Sequence, residues 1–228
     1  MGRRTPAGGA AAASDKKPKK PNGNFAPRRN SLRTKPLLDD LIYAVPSFLS
    51  RDECRRVMDF AVEQGFTRVT HRATREIAFR DNDRILLRMP AFAELLWQRL
   101  QPLVPTEYEG MFAAGMNPSI RFYRYNKGQR FGCHVDQSDL DPETRFHSRF
   151  TVLVYLNDAS DSELRGGNTV FYSNENEDEV VLTVAPETGA ALIHGHGDRC
   201  LLHEGALVTA GAKYLLRTDV MYSERPVK

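Results

Sequence analysis

The sequence predicts an α+β fold that is mainly β: a double-stranded β-helix (jelly roll) with buttressing helices on its N-terminal side. Apolar residues recur at helical spacing in two segments before residue 105, whereas from residue 119 the chain consists of short strand-like segments. Gly, Pro and Asn separate most of these short segments, as is typical between neighbouring strands. Helices followed by many short strands indicate that the helices cover one face of a double sheet.

The N-terminal elements are predicted from their caps and breakers. Residues 41–46 read as a first strand that a proline ends. Ser50 and Glu53 form a capping box at the start of a helix that ends near residue 65. A second helix with an apolar face is predicted over residues 90–105, where prolines stand at both ends.

Eight strands are predicted in the C-terminal part. They cover residues 119–126, 131–136, 148–156, 168–172, 180–184, 189–193, 200–203 and 213–222.

The charge of the chain is unevenly distributed. Residues 1–36 contain ten Lys/Arg and one acid, a net charge of +9, whereas the remainder has 22 basic and 28 acidic residues, a net charge of −6. The first segment has few large apolar residues, so we expect a disordered basic tail over 1–36 and a folded domain over 37–228. Lys/Arg runs of this kind fit a solubilising extension, a nuclear address or a nucleic-acid contact.

Composition also limits the compartment. Cys54, Cys133 and Cys200 lie far apart and are odd in number, which argues against a disulfide framework and favours a reducing environment. No apolar stretch reaches the length of a membrane span. We therefore expect an intracellular protein, cytoplasmic or nuclear, with no membrane partner.

A His-x-Asp pair suggests a metal site. His134 and Asp136 lie two residues apart, so in a strand their side chains share one face. The third ligand has to come from a distant segment, and His194, His196 and His203 are the candidates.

His203 is the preferred third ligand. Leu201 and Leu202 precede it, which favours a buried strand, and a lysine follows it at a fixed step on the next strand. Glycines flank His196 and predict a turn, so we expect His194 and His196 in turn or supporting positions, although His-x-His can also form a zinc site. Two imidazoles and one carboxylate with open positions are the usual holder of non-haem Fe(II) in oxygenases.

Two cations follow on one face of the last predicted strand. Lys213 and Arg217 share this face, and an interior cation is costly unless an anion pairs with it. A bound dicarboxylate would supply that anion. Arg would bind its carboxylate through two hydrogen bonds, whereas Lys would bind it as a point charge. Arg217 can instead pair with Asp219, and Lys213 can reach the surface, so the sequence leaves the anchor open between the two.

The region 119–222 resembles the iron(II)- and 2-oxoglutarate-dependent dioxygenases, in the prolyl 4-hydroxylase-like branch. The order and spacing of the residues above agree with that family, and residues 166–171 resemble its Gly-Gly-x-Thr-x-Phe strand. Arg217 has no counterpart in the collagen-type enzymes. The resemblance implies the following site: catalytic iron ligands His134, Asp136 and His203, the 2-oxoglutarate anchor Lys213 with Arg217 able to share it, and pocket residues Tyr125 and Tyr155.

The resemblance also implies an activity. The domain would be a dioxygenase with its catalytic core at about 117–224, using Fe(II), 2-oxoglutarate, O2 and ascorbate. It would hydroxylate a prolyl or other side chain of an intracellular protein or peptide, as procollagen-proline 4-dioxygenase-like enzymes do, with succinate and CO2 as co-products. The charged stretch 72–88 would be a loop, either solvated or near the mouth of the site.

Two other functions compete. The basic tail could serve an oxygenase of nucleic acid or a nucleobase, because cations seek phosphates, although the acidic body shows no obvious basic groove. A non-catalytic jelly roll could bind 2-oxoglutarate or a metal without turnover. The sequence leaves the oligomeric state open.

Overall fold

The computed structural model describes residues 21, 25, 32–74, 78–160, 162–173 and 178–227. Most of the predicted tail over 1–36 lies outside the described residues, so its disorder stays a prediction. The first strand begins at Lys35, two residues before the predicted start of the folded domain. In the described part of the chain, no helix is long and apolar enough to cross a membrane.

In the described residues, two α-helices and six strands precede the β-rich part. The helices are α1 (Arg51–Gln64) and α2 (Pro90–Leu100). The strands are β1 (Lys35–Leu38), β2 (Ile42–Val45), β3 (Thr67–His71), β4 (Arg80–Arg88), β5 (Glu107–Tyr108) and β6 (Met111–Met116).

Ten strands make up the β-rich part. They are β7 (Ser119–Asn126), β8 (Arg130–His134), β9 (His147–Tyr155), β10 (Arg165–Gly166), β11 (Thr169–Tyr172), β12 (Val180–Val184), β13 (Ala191–Gly195), β14 (His203–Gly205), β15 (Val208–Ala210) and β16 (Ala212–Ser223).

The main sheet curls back on itself. Its hydrogen-bonded order is β1-β2-β13-β9-β16-β7-β4-β8-β14-β11-β12, with antiparallel pairs along this path. β13 and β11 lie far apart in that order, yet the rings of His194 and Phe171 are 5.5 Å apart. The hydroxyls of Tyr155 on β9 and Thr169 on β11 are likewise 2.8 Å apart. This nearly closed double layer confirms the predicted α+β, mainly β jelly roll.

The alternation of side chains along the central strands produces two cores. On β16, Leu216 and Val220 join the outer core with residues of α1 and α2, whereas Leu215 joins an inner core between the layers. On β7, Phe122 packs outward against Phe60 of α1, with ring centroids 6.0 Å apart, and Tyr123 points inward. The helices thus buttress one face, as predicted, and the opposite face of the same strands lines the interior.

The buttress begins at a buried cap. Ser50 Oγ accepts a hydrogen bond from the Glu53 backbone N–H, and Glu53 Oε2 accepts one from the Ser50 N–H, which confirms the capping box. Glu53 also pairs with Arg99 of α2, with Nη2 and Oε1 2.7 Å apart and both side chains almost fully buried. The two helices are therefore joined by a buried ion pair.

The interpretation of residues 72–88 as a loop is wrong for its second half. Residues 80–88 form β4, which pairs with both β7 and β8 in the centre of the sheet. Its charged residues interrupt the apolar alternation that usually indicates a strand. They are tolerated in the sheet because neighbouring strands supply opposite charges: Asp83 pairs with Arg124 at 2.7 Å, and Asp81 with Arg68 at 2.8 Å. Six further strands have no counterpart among the predicted segments: β1, β3, β5, β6, β10 and β15.

Candidate metal and co-substrate site

Three predicted ligands lie together at one end of the interior. His134 ends β8, His203 begins β14, and the two strands pair with these residues opposite each other. Asp136 lies two residues beyond the end of β8, outside the strand that was predicted to carry it. One donor atom from each of the three residues can be chosen so that all lie within 4.8 Å of one another.

The two imidazoles present the same nitrogen to Asp136. His134 Nδ1 lies 2.9 Å from the carbonyl of Gly132, and His203 Nδ1 lies 2.9 Å from the carbonyl of Leu201. Each Nδ1 can therefore carry the proton and donate it to a carbonyl, which leaves Nε2 free as a metal ligand. Each Nε2 lies 3.8 Å from a carboxylate oxygen of Asp136.

The protonation states also suit a cation. Burial and the neighbouring His203 lower the pKa of His134 to about 3, and burial lowers the pKa of His203. Burial alone would raise the pKa of Asp136, but Arg217 and the surrounding imidazoles hold it well below its usual range. Neutral imidazoles and an ionised carboxylate are the forms that bind metals.

Two side chains donate hydrogen bonds to the carboxylate of Asp136. Arg217 Nη1 lies 3.0 Å from Oδ1, and the Thr151 hydroxyl donates to Oδ2 at 2.7 Å. Arg217 Nη2 in turn donates to Thr151 Oγ1 at 3.2 Å, and its Nε lies 3.5 Å from Asp219 Oδ1. Arg217 therefore has two carboxylate partners inside the protein, one of which is the Asp219 partner considered from the sequence.

The other two histidines lie close behind this set. His194 is buried on β13 rather than in a turn, and its Nε2 lies 3.9 Å from Asp136 Oδ2 without a hydrogen bond. His196 follows the strand, and its Nε2 lies 2.8 Å from the Thr151 hydroxyl. Both support the Asp136 side of the site.

A second group of donors shares one histidine with the first. His194, Cys200 and His203 also place ligand atoms within 4.8 Å of one another. The Cys200 thiol lies 3.8 Å from Nδ1 of each histidine, and burial raises its pKa to about 12. The sequence does not predict this proximity, because a lone cysteine carries no spacing signal.

Lys213 is buried in the same cavity as the metal-ligand candidates. Its side chain is on β16, and the residue is 2% exposed. Among the described residues, the only hydrogen bond of the Lys213 side chain runs from Nζ to the carbonyl of Gly167 at 2.5 Å, and no carboxylate pairs with the ammonium. Burial lowers the pKa of Lys213 to about 7. A buried cation without an anion is unfavourable until an anionic ligand arrives.

A close turn accommodates this lysine. Gly167 has φ +71°, and a Cβ at that position would lie 3.1 Å from Lys213 Cδ. Glycine is therefore needed both for the backbone conformation and for the close approach.

The two predicted pocket tyrosines flank the lysine. The Nζ of Lys213 lies 5.9 Å from the centre of the Tyr125 ring and 5.4 Å from that of Tyr155. Tyr125 lines the cavity, whereas Tyr155 lies behind it with its hydroxyl 2.8 Å from that of Thr169. Both rings thus shape the environment of Lys213.

An aromatic residue outside the predicted site, Phe131, covers one of the metal-ligand candidates. The Phe131 ring stacks on His134, with centroids 3.7 Å apart and planes at 24°. The guanidinium of Arg80 lies 3.9 Å from the centre of the same ring. Phe131 also lines the cavity, so Arg80 and Phe131 lie next to the metal-ligand candidates.

The arrangement fits a non-haem iron and a dicarboxylate. His134, Asp136 and His203 offer two nitrogens and one oxygen, and His194 is not part of their compact set. Three protein ligands leave positions open for other ligands. Lys213 lies in the same cavity and can bind a carboxylate there.

Comparisons with known proteins agree with this fold. Residues 120–218 match the model of the 2OG-Fe(II) oxygenase superfamily. No curated protein matches the chain in sequence.

Several solved structures are similar in fold. A viral collagen prolyl hydroxylase from Paramecium Bursaria Chlorella virus-1 has a TM-score of 0.57 at 19% identity, covering 81% of this chain and 98% of that one. A prolyl hydroxylase from Trichoplax adhaerens, in complex with a hypoxia inducible factor peptide fragment, has a TM-score of 0.57 at 18% identity, with 80% and 84% covered. A Pseudomonas putida prolyl-4-hydroxylase has a TM-score of 0.52 at 17% identity, with 81% and 93% covered.

The superfamily match spans the strands that carry the two histidine ligand candidates and Lys213, and the fold agrees over four fifths of the chain. The family implies iron and 2-oxoglutarate as ligands and O2 as oxidant, and the donor set described above is compatible with them. Residues 120–218 therefore match the 2OG-Fe(II) oxygenase superfamily, and the chain is similar in fold to the prolyl hydroxylases above.

Proposed function

We propose that this protein is a dioxygenase of the 2OG-Fe(II) oxygenase superfamily, in its prolyl 4-hydroxylase-like branch. It would hydroxylate a side chain of a protein or peptide, with proline as the first candidate residue. One observation carries the proposal: a compact two-histidine, one-carboxylate set opens into the same cavity as a buried lysine that has no carboxylate partner among the described residues. The first set suits Fe(II), and the lysine suits the far carboxylate of 2-oxoglutarate.

The roles of the residues follow from their contacts. His134, Asp136 and His203 would hold the iron, and the carbonyls of Gly132 and Leu201 would keep both imidazoles in the required tautomer. When bound there, iron and 2-oxoglutarate would supply oxidative chemistry in which O2 gives one oxygen atom to succinate, formed with loss of CO2, and the other to the substrate.

The co-substrate would be oriented by the basic end of the cavity. Lys213 is the proposed anchor, because Arg217 is already engaged by Asp136 and Asp219. Tyr125 and Tyr155 would exclude water around the Lys213 ammonium and so strengthen its attraction for a carboxylate.

The metal and reductant requirements can be stated as expectations. Ferrous iron binds such ligands less tightly than cobalt, nickel or zinc, so these ions should inhibit turnover. We also propose that ascorbate sustains activity by returning oxidised iron to the ferrous state.

The substrate class rests on the neighbours in fold. The Trichoplax adhaerens prolyl hydroxylase is complexed with a peptide fragment. In this chain Phe131 and Arg80 are only partly buried, and Phe131 stacks on His134 at the metal-ligand candidates. Both observations support a protein segment as substrate.

The test uses a cell extract as the source of substrates. The full-length protein, Fe(II), 2-oxoglutarate and ascorbate are incubated with the extract, and His134→Ala protein serves as the matched control. Peptide mass spectrometry should detect proteins that gain one oxygen atom only with the wild-type chain. Oxygen gain confined to nucleic acid, or equal gain with both proteins, would contradict the proposal.

A further inference from the structure

We propose that Arg217 is a positioning residue that acts as an internal counter-cation for Asp136: it keeps the metal site formed without metal and weakens metal binding. The inference rests on the proposed function, because it takes Asp136 as a metal ligand. It concerns how readily the site gains and releases its metal.

Both terminal nitrogens of Arg217 act on Asp136, one directly and one through Thr151. Its Nη1 lies 3.0 Å from Asp136 Oδ1, and its Nη2 donates to the Thr151 hydroxyl, which itself donates to Asp136 Oδ2. Both carboxylate oxygens are thus fixed by one guanidinium and one hydroxyl. Such a grip sets the direction in which Asp136 presents its remaining lone pairs.

A line of alternating charges holds Arg217 in place. Asp219 lies beside its Nε at 3.5 Å, and Arg121 lies on the other side of Asp219 at 3.3 Å. Asn117 also donates to Asp219, at 3.2 Å. Because Asp219 is itself held by two side chains besides Arg217, the guanidinium has little freedom to leave Asp136.

The consequence follows from the charges. Without metal, Asp136 is a buried anion, and Arg217 supplies the opposite charge that makes its burial tolerable. When a divalent cation binds Asp136, it shares that carboxylate with Arg217 and is repelled by the guanidinium. Arg217 therefore stabilises the metal-free site and opposes the loaded one.

The experiment measures metal affinity rather than turnover. Co²⁺ is titrated into the full-length metal-free protein by calorimetry without 2-oxoglutarate, and the melting temperature is recorded with and without Co²⁺. Arg217→Met should melt at a lower temperature than wild type when metal-free. It should bind Co²⁺ more tightly by about tenfold, and Co²⁺ should raise its melting temperature more.

Matched variants separate charge from structure. Arg217→Lys keeps a cation and should retain an affinity close to wild type, whereas Arg217→Gln removes the charge, keeps a donor and should tighten binding. If Arg217→Met does not fold, Arg217→Gln provides the charge-removal test in its place. Arg121→Met removes a different contact of Asp219 without touching Asp136, so it should leave Co²⁺ affinity unchanged.

The outcomes distinguish this inference from the proposed function. Unchanged or weaker Co²⁺ binding in both Arg217→Met and Arg217→Gln would overturn the counter-cation role while leaving the iron site intact. Wild-type Co²⁺ binding that persists in Asp136→Ala would instead show that Asp136 is not a ligand, and both proposals would fall.

Discussion

Replacing Lys213 by methionine should make the protein more stable and its co-substrate binding weaker. Lys213 is buried, and among the described residues its ammonium contacts one carbonyl and two aromatic rings but no carboxylate. Methionine has a similar length and no charge. The change therefore removes an unfavourable buried cation and, with it, the proposed anchor for 2-oxoglutarate.

The size of the stability effect follows from the pKa of Lys213. Burial lowers this pKa from 10.5 to about 7, which corresponds to a cost of about 4 kcal/mol at pH 7. Loss of the hydrogen bond to the Gly167 carbonyl offsets about 1–2 kcal/mol of the gain. We expect a net stabilisation of about 2 kcal/mol, or a Tm increase of roughly 4–8 °C.

The pH dependence fixes the origin of this gain. The pKa of Lys213 is lower in the folded than in the unfolded chain, so its cost is full below about pH 7 and fades as the pH rises toward 10.5. The stability difference between Lys213→Met and wild type should therefore shrink above pH 7. Without its cation, the cavity should bind 2-oxoglutarate about 100-fold more weakly, since a buried unpaired carboxylate costs about 3 kcal/mol.

Thermal denaturation of the metal-free protein over a pH series measures the first effect, and calorimetric titration of 2-oxoglutarate into the metal-loaded protein measures the second. Lys127→Met is the matched control, because Lys127 is exposed in the turn between β7 and β8 and should change neither quantity. A less stable Lys213→Met, or one with wild-type affinity for 2-oxoglutarate, would refute the reasoning.

Three further predictions concern the metal, the scaffold and the mouth of the site. His203→Ala should abolish the increase in Tm that Co²⁺ produces, and a retained increase would exclude His203 as a ligand. Arg99→Met leaves the buried Glu53 carboxylate without its cation and should lower the free energy of unfolding in urea by about 3–5 kcal/mol. A loss below about 1 kcal/mol would show that water screens this pair. Arg80→Ala removes the cation beside Phe131 and should raise the KM for a peptide substrate without changing that for 2-oxoglutarate; the opposite pattern in steady-state kinetics would place Arg80 at the co-substrate.

The sequence was sufficient for the jelly roll because its strands alternate locally and are separated by strong breakers. Each of the eight predicted strands has a counterpart within about three residues, from β7 to β16. The capping box at Ser50 and Glu53 also has a local signature that needs no tertiary information.

The strand β4 could not be predicted from local sequence patterns, because the residues that balance its charges are distant in sequence. Five of its nine residues are charged, which in isolation favours a solvated loop. The negative charge of Asp83 is balanced only because β7 brings the guanidinium of Arg124 beside it. Cross-strand charge pairing therefore replaced the apolar alternation on which the prediction depended.

The site was predictable in its residue types and less so in its contacts. The His-x-Asp spacing brought His134 and Asp136 together, although Asp136 lies past the end of its strand. The competition between Lys213 and Arg217 could not be resolved from their shared face. The contact between Arg217 and Asp136, which favours Lys213 as the proposed anchor, forms only when the fold brings these distant residues together.

Succinate formation tests the central claim most directly. The purified full-length protein is incubated with Fe(II), 2-oxoglutarate, O2 and a peptide pool from a cell extract, and succinate is quantified beside a His134→Ala control. Wild-type protein should form succinate only when both iron and 2-oxoglutarate are present, and the variant should form none. Equal succinate from both proteins, or none from wild type with iron bound, would contradict the assignment.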